Sequence, residues 1–135
     1  MRQTYLEERY PNAHHISFGD SIELADRLLA LIIAGEKTAT SGSYRSFTAE
    51  PSPVIGDYCV VLDGQNKPAC VIRIEQQTLV GFHQVTAAMA AKEGEGDKSL
   101  AYWRAEHHAF FSREGEYEPE MLLVFEQFRL IEVLG

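Results

Sequence analysis

The stretch SIELADRLLALIIAGEKTAT, residues 21–40, joins the clearest helix signal of the chain to its most unusual polar segment. Apolar residues recur at helical spacing through residues 21–34, which predicts an amphipathic helix there. Asp20 is expected to be the N-cap, and Glu23 three residues later completes a capping box. Gly35 suits the left-handed residue that ends many helices. The polar segment therefore begins where a helix stops.

The sequence around this helix predicts a small sheet with further helices. Runs rich in β-forming residues predict strands, and Asp63-Gly64 predicts a hairpin turn between two of them. The expected strands are 57–62, 69–74, 78–82 and 121–130, with a short strand or ordered loop at 37–44. Helices are expected over 86–91 and from about Lys98, where Asp97 is the expected N-cap. This order predicts an α+β domain, a small curved sheet or barrel with helices packed outside it.

Length and composition predict one globular domain. The chain has 135 residues, 45% of them hydrophobic, and no apolar run approaches the roughly 20 residues that span a bilayer. The N-terminal residues carry acids and lack the apolar core of a signal peptide, so a cytoplasmic location is expected. Cys59 and Cys70 lie in apolar runs and are expected to be buried thiols.

The charge of the chain restricts its partners. The net charge is −8, the twelve Lys and Arg residues are scattered, and residues 114–120 form an acidic stretch. Tight binding to a nucleic-acid backbone needs a basic patch, because phosphate neutralisation drives that affinity. Strong sequence-independent binding to long RNA or DNA is therefore disfavoured, whereas a local basic pocket for a small ligand remains compatible with the sequence.

The polar segment after the first helix has two interpretations. Lys37 follows a helix C-terminus, where a cation complements the helix dipole. Alternatively, Lys37 and Thr40 line a pocket, because a partly desolvated amine loses proton affinity and can act as a base. Such a base could activate the Thr40 hydroxyl.

The segment Glu93-Gly94-Glu95-Gly96-Asp97 alternates carboxylates with glycines. It is either an interhelix loop in which Asp97 caps the next helix, or a source of functional carboxylates. One carboxylate could orient a lysine or accept a hydrogen bond from a base or ribose. No second ligand cluster accompanies it, so we expect no cofactor, and a divalent metal has little support.

Aromatic residues recur at helical spacing in the next predicted helix. They are Trp103, His107, His108, Phe110 and Phe111. Such a stripe is typical of a core, but His107 beside Trp103 could also contact a planar ligand. Tyr44 and Arg45 add a stacking group and an anion contact just after the threonine segment. Walker, dinucleotide-binding and Gly-x-Ser-x-Gly motifs are missing from the sequence, which disfavours the chemistries they serve.

Taken together, these segments resemble the ASCH domain family from about residue 18 to residue 128. The likeness is carried by Phe18-Gly19-Asp20, Gly35-Glu36-Lys37-Thr38-Ala39-Thr40, Gly56-Asp57-Tyr58, Glu93-Gly94-Glu95-Gly96-Asp97, Tyr102-Trp103-Arg104, His107 and Phe110-Phe111. The resemblance implies a single ASCH domain over 1–135, with an N-terminal helical extension over about 1–17. It also implies a PUA-like β-barrel with flanking helices.

The resemblance implies a cleft for RNA or a modified nucleoside. Some family members are similar to ribonucleases, and a smaller relative is an amidohydrolase of N-acetylcytidine that uses a lysine, a threonine and a glutamate. Matching the motif makes Lys37 the base, Thr40 the nucleophile, and Glu93 or Glu95 the glutamate. The residues expected to contact the substrate are Thr38, Tyr44, Arg45, Trp103, Arg104 and His107. This chain departs from the amidohydrolase type in its greater length and its expanded acidic loop.

Three functions follow as hypotheses. The first is a hydrolase of a modified nucleoside, which suits the acidic net charge because a nucleoside carries no phosphate backbone. The second is a ribonuclease, which needs cations beside the site and finds only Lys37, Arg45 and Arg104. The third is a non-catalytic module that binds single-stranded RNA or a nucleotide through the lysine and aromatic residues.

Overall fold

The computed structural model describes residues 2–49 and 51–134, which form five α-helices, one 3₁₀ turn and five strands. The helices are α1 (Arg2–Arg9), α2 (Ile22–Ile33), α3 (Tyr44–Ala49), α4 (Ala87–Glu93) and α5 (Leu100–Arg113), and the 3₁₀ turn is Phe82–Gln84. The strands are β1 (His14–Ile16), β2 (Ala39–Ser43), β3 (Tyr58–Leu62), β4 (Pro68–Gly81) and β5 (Leu122–Val133). None of the described helices is long and apolar enough to cross a membrane.

The five strands form one sheet in the order β1-β3-β4-β5-β2. β1 runs parallel to β3, and the other neighbouring pairs are antiparallel. The β4–β5 ladder shifts register between Val71 and Ile72 and again between Ile74 and Gln76. Such irregularities bend and twist a sheet, and here the sheet curls into half a barrel. The predicted α+β architecture, a small PUA-like barrel with flanking helices, is confirmed.

The core divides between the two faces of the sheet because side chains alternate along each strand. Leu29 and Ile32 of α2 pack on one face, against a cluster that includes both buried cysteines. Leu6 and Tyr10 of α1 pack on the other face. A third cluster joins the turn after β4 to α4, α5 and β5, and consists of Phe82, Val85, Ala90, Trp103, Phe111 and Leu123. Helices α4 and α5 are thereby fixed beside the end of α2.

The caps of α2 and α5 differ from the prediction. Ser21 caps α2, its Oγ accepting from the Leu24 amide at 3.1 Å, whereas Asp20 pairs with Arg113 at 3.0 Å. Ser99 caps α5 in the same way, and Asp97 instead accepts from the Ser99 amide at 2.9 Å. In both cases the serine directly precedes the first helical residue, so its short side chain reaches the free amides of the first turn.

The N-terminal extension is helical only over α1. The strand β1 that follows pairs with β3, so residues 14–16 belong to the sheet. The predicted strands 69–74 and 78–82 are parts of one long strand, β4. Helix α3 was not predicted from the sequence. It starts where the Ser43 hydroxyl accepts from the Ser46 amide at 3.0 Å, a side-chain contact that favours a first helical turn.

Candidate functional site

The backbone turn at the end of α2 directs the Lys37 side chain into the interior of the protein. Gly35 has φ +81°, and the amides of Glu36 and Lys37 both bond to the Leu31 carbonyl, at 2.9 and 3.1 Å. Only 1% of Lys37 is exposed. Lys37 follows the helix C-terminus as predicted, but its side chain lies in the interior of the protein.

The buried amine of Lys37 is held by three acceptors. Nζ donates to the Ala39 carbonyl at 2.9 Å, to Glu95 Oε2 at 2.7 Å and to the Glu93 carbonyl at 3.4 Å. The ring of Phe18 lies 5.9 Å from the same nitrogen. An amine that donates three hydrogen bonds carries three protons, so Lys37 is an ammonium here.

Glu93 is the buried carboxylate beside this ammonium. It ends α4, and only 1% of it is exposed. Its Oε2 accepts from Trp103 Nε1 at 2.7 Å and from the Ser41 hydroxyl. Its Oε1 lies 3.6 Å from Lys37 Nζ and 3.4 Å from His107 Nε2, and has no hydrogen-bond partner among the described residues. Oε1 therefore interacts with both neighbours mainly through charge.

His107 completes the cluster from α5. Its ring stacks on Trp103 with centroids 4.1 Å apart, and Nδ1 lies 2.9 Å from the Trp103 carbonyl. A carbonyl only accepts, so Nδ1 is the donor and Nε2 faces Glu93. A proton on Nε2 would therefore lie toward the unpaired Oε1, which favours the imidazolium.

The two buried groups shift each other's pKa in opposite directions. Burial opposes the charged form of Glu93, but its interactions with His107, Lys37 and Ser41 outweigh burial and lower its pKa to about 2. Burial also opposes the imidazolium, but Glu93 outweighs it and, with the Trp103 carbonyl, raises the pKa of His107. The cluster thus holds ionised groups of both signs away from water.

A cleft of about 200 Å³ opens beside this cluster. It is lined by Gly19, Leu24, Arg27, Leu28, Ser41, Glu95, Tyr102, Glu106, His107, Phe110 and Arg113. The Glu95 side chain is 20% exposed, whereas that of Lys37 is 0% exposed. Glu95 is therefore the member of the Lys37–Glu95 pair that lines the cleft, as Ser41 and His107 also do.

The structure brings five of the predicted site residues together. They are Lys37, Glu93, Glu95, Trp103 and His107. Thr40 is a neighbour on β2, but successive side chains of a strand point to opposite faces, and Ser41 is the one that reaches Glu93. No side-chain hydrogen bond of Thr40 occurs within the described part of the chain.

Four other predicted residues lie outside the cleft lining. Thr38 is exposed and donates to the Lys92 carbonyl at 3.3 Å. Tyr44 and Arg45 line a separate groove, together with Glu116. Arg104 is exposed and donates to the His83 carbonyl at 3.3 Å.

Sequence reasoning missed several residues of the cleft. Arg27 stands between Leu24 and Leu28 on α2, so helical spacing alone would have placed it beside the apolar face. Ser41 follows from Ala39 by strand alternation, once the strand is known to start there. Tyr102 directly precedes the predicted Trp103, and nothing in the sequence indicated that its own side chain would line the cleft. Across residues 2–49 and 51–134, no three His, Cys, Asp or Glu side chains are grouped to hold a metal ion.

Comparison with known families identifies the family of this chain. The family model described as "ASCH domain" matches residues 14–132, which is most of the chain. The chain belongs to the ASCH domain family. The match begins at β1 and includes every element of the buried cluster.

Solved ASCH-type structures agree closely with this one. An ASCH domain from Lactobacillus crispatus JV V101 is 37% identical, with a TM-score of 0.83, over 93% of this chain and 84% of that one. Protein EF3133 from Enterococcus faecalis V583 is 31% identical, with a TM-score of 0.83, over 98% of this chain and 91% of that one.

A more distant structure shares the fold alone. The Y47F mutant of ZmASCH from Zymomonas mobilis is 10% identical, with a TM-score of 0.54, over 91% of this chain and 73% of that one. Among curated proteins, no sequence match to this chain is found.

Proposed function

We propose that this ASCH domain binds a modified nucleoside, free or within single-stranded RNA, and hydrolyses an amide bond on its base. ASCH domains are associated with RNA binding in general. The observation that carries the proposal is the fully buried Lys37 ammonium, held 2.7 Å from Glu95, which lines the cleft. A buried ion pair with one member facing a cleft is typical of a functional site. Removing charges from water is costly, so a pair that is kept in such a place indicates a role beyond folding.

The size and walls of the cleft favour a single planar group. Its volume of about 200 Å³ is smaller than the roughly 300–1,000 Å³ of pockets for drug-sized ligands. Tyr102, His107 and Phe110 supply ring surfaces along its wall. A nucleobase stacks on such surfaces, whereas a long polar chain gains little from them.

In the proposed mechanism Glu95 is the general base. Glu95 accepts a proton from a water molecule, whose oxygen attacks the carbonyl carbon of the acyl group. The C–N bond then breaks, and the proton passes from Glu95 to the departing amine of the base. The products are a carboxylic acid and the free exocyclic amine.

Lys37 and Glu93 support this step without touching the ligand. The Lys37 ammonium fixes Glu95 in position through their 2.7 Å contact, and its charge partly offsets the negative charge that develops on the carbonyl oxygen. Glu93 holds Trp103 and Ser41 through hydrogen bonds and His107 through charge. We therefore describe Lys37 and Glu93 as positioning residues and Glu95 as the catalytic residue.

A hydroxyl nucleophile is the alternative to water. The family resemblance implies Thr40 in that role, whereas Ser41 is the hydroxyl that lines the cleft. Thr40→Ala and Ser41→Ala form a matched pair that separates these assignments. A rate lost only in Thr40→Ala favours Thr40, a rate lost only in Ser41→Ala favours Ser41, and a rate kept in both favours water.

The experiment that tests the function offers the protein two substrates. N-acetylcytidine and a short single-stranded RNA are incubated with purified wild type, and deacetylation and cleavage are followed by chromatography. We expect deacetylation of the nucleoside. RNA cleavage without deacetylation would replace the proposal with a ribonuclease, in which Arg27 of the cleft lining, rather than Arg45 or Arg104, would supply the cation beside the site. Binding without turnover would leave a non-catalytic module.

A further inference from the structure

A second chamber of about 300 Å³ adjoins the cleft. Five residues line both spaces, namely Leu24, Arg27, Leu28, Glu95 and Tyr102. The rest of the second chamber is lined by Leu31, Glu36, Gly94, Gly96 and Lys98. A ligand with its base in the cleft could therefore extend past Arg27 without leaving the protein surface.

Four charged residues line the second chamber, and three of them are in salt bridges. Glu36 is paired with Lys98 at 3.2 Å, and Glu95 is paired with the buried Lys37 at 2.7 Å. Arg27 has no hydrogen bond or salt bridge to any described residue. Its guanidinium thus carries five donors that no protein acceptor uses.

The other arginine of the cleft differs from Arg27 in this respect. Arg113 donates to Asp20 through both Nε, at 3.2 Å, and Nη2, at 3.0 Å, so its charge is already matched. Arg27 lies on the same face of α2 as Leu24, Leu28 and Leu31, at i, i+3, i+4 and i+7 spacing. These leucines line the chamber beside it.

We propose that the second chamber binds a phosphate group through Arg27, so that the ligand is a nucleotide unit rather than a bare nucleoside. This inference rests on the proposed function, since it needs the base to occupy the cleft. The guanidinium of an arginine can donate two parallel hydrogen bonds to two oxygens of one phosphate, which gives geometric specificity as well as affinity. Lys98 is half-exposed in its pair with Glu36 and can supply a second donor.

The test measures binding of cytidine, cytidine 5′-monophosphate and a cytidine dinucleotide by calorimetry at low salt. We expect wild type to bind one of the phosphate-bearing ligands about tenfold more tightly than cytidine, in line with one charge-assisted contact. In Arg27→Gln that preference falls to less than twofold. Arg104→Gln, which alters an exposed arginine outside the cleft lining, is the control and keeps the preference.

The same experiment distinguishes a free nucleotide from RNA as the source of the phosphate. It also tests the phosphate site separately from the proposed function. A preference for the monophosphate indicates a free nucleotide, and a preference for the dinucleotide indicates RNA. Equal affinity of wild type for all three ligands overturns the phosphate site and leaves the proposed function standing. A preference that survives in Arg27→Gln overturns the role of Arg27. Failure of all three ligands to bind overturns the phosphate site, whereas the proposed function is overturned only if N-acetylcytidine is not deacetylated.

Discussion

Two polar regions of this domain use carboxylates in different ways. In the cleft, Glu93 and Glu95 surround a buried ammonium, and tryptophan, serine and histidine side chains complete the cluster. In the groove beside α3, Glu116 accepts from the Ser43 and Ser46 hydroxyls at 3.0 and 2.9 Å. Glu118 and Glu120 line the same groove and are exposed.

The difference shows which acidic residues carry information about function. An exposed carboxylate needs no explanation, because water solvates it. A buried carboxylate is stable only with charge and hydrogen-bond partners, so its presence indicates a constraint beyond folding. The groove has a volume of about 470 Å³, but none of its carboxylates is fully buried. The fully buried carboxylate, Glu93, lies beside the smaller cleft.

Removing the buried carboxylate should have the largest effect. Glu93→Ala leaves Lys37 and His107 without their shared anion and Trp103 Nε1 without its acceptor. We expect a loss of about 3–5 kcal/mol in the free energy of unfolding, the usual cost of breaking a buried ion pair. Urea denaturation measures it. Glu116→Ala in the groove is the comparison, and a similar loss there would remove the distinction between the two regions.

The glycine that follows Glu93 should come next. Gly94 has φ +69°, and a Cβ there would lie 2.1 Å from the Glu36 carbonyl oxygen. Gly115 has φ +72° with nothing within 4 Å of such a Cβ. Gly115→Ala should therefore cost about 1–2 kcal/mol from backbone strain alone. Gly94→Ala should cost clearly more, because the backbone must also move. Equal losses in chemical denaturation would show that the contact with Glu36 is unimportant.

The pH dependence of stability separates the cluster from the surface. The pKa of His107 is raised above its ordinary 6.5, so its contribution is fully present below about 6.5 and is lost as the pH rises through the folded value. The pKa of Glu93 is lowered from 4.5 to about 2, so its contribution is present above 4.5 and is lost as the pH falls toward 2.

Melting temperatures across the pH range check this account. Wild type should lose stability above pH 6.5, and His107→Gln should lose less over the same interval. His108, which is exposed on the same helix, provides the matched control as His108→Gln. If the wild-type and His107→Gln curves were parallel above pH 6.5, the imidazolium assigned to the cluster would be wrong.

The smallest effect is expected in the groove. Tyr44→Ala and Arg45→Ala change exposed side chains that do not line the cleft. We expect the affinity for a nucleoside to stay within about twofold and the free energy of unfolding within about 0.5 kcal/mol. Calorimetric titration and denaturation measure these two quantities. A tenfold loss of affinity in either variant would extend the binding surface from the cleft to the groove.

Local patterns predicted the elements of the fold better than the details of the site. Helix α2 and its glycine stop follow from apolar spacing and from the conformational freedom of Gly35. The grouping of Lys37 with Glu93, Glu95, Trp103 and His107 came from the family resemblance. No local rule connects residues that are more than 50 positions apart. The local sequence left two possible roles for Lys37 and did not show which of Glu93 and Glu95 would act.

The remaining differences between the predicted site and the cleft lining have physical causes. Tyr44 and Arg45 were grouped with the lysine because they are close in sequence, but β2 carries them away from the cleft before α3 begins. The distinction between Thr40 and Ser41 depends on which face of β2 meets α4. That register is set by pairing with β5, more than 80 residues later.

The central claim is that Glu95, and not a groove carboxylate, performs chemistry in the cleft. The direct measurement is the deacetylation rate of N-acetylcytidine for wild type, Glu95→Gln and Glu116→Gln, with melting temperatures recorded for all three. We predict a loss of at least about 100-fold in Glu95→Gln, the usual contribution of a general base, in a variant that is still folded at the assay temperature. Glu116→Gln should keep the wild-type rate. No turnover by wild type, or an undiminished rate in Glu95→Gln, would contradict the account.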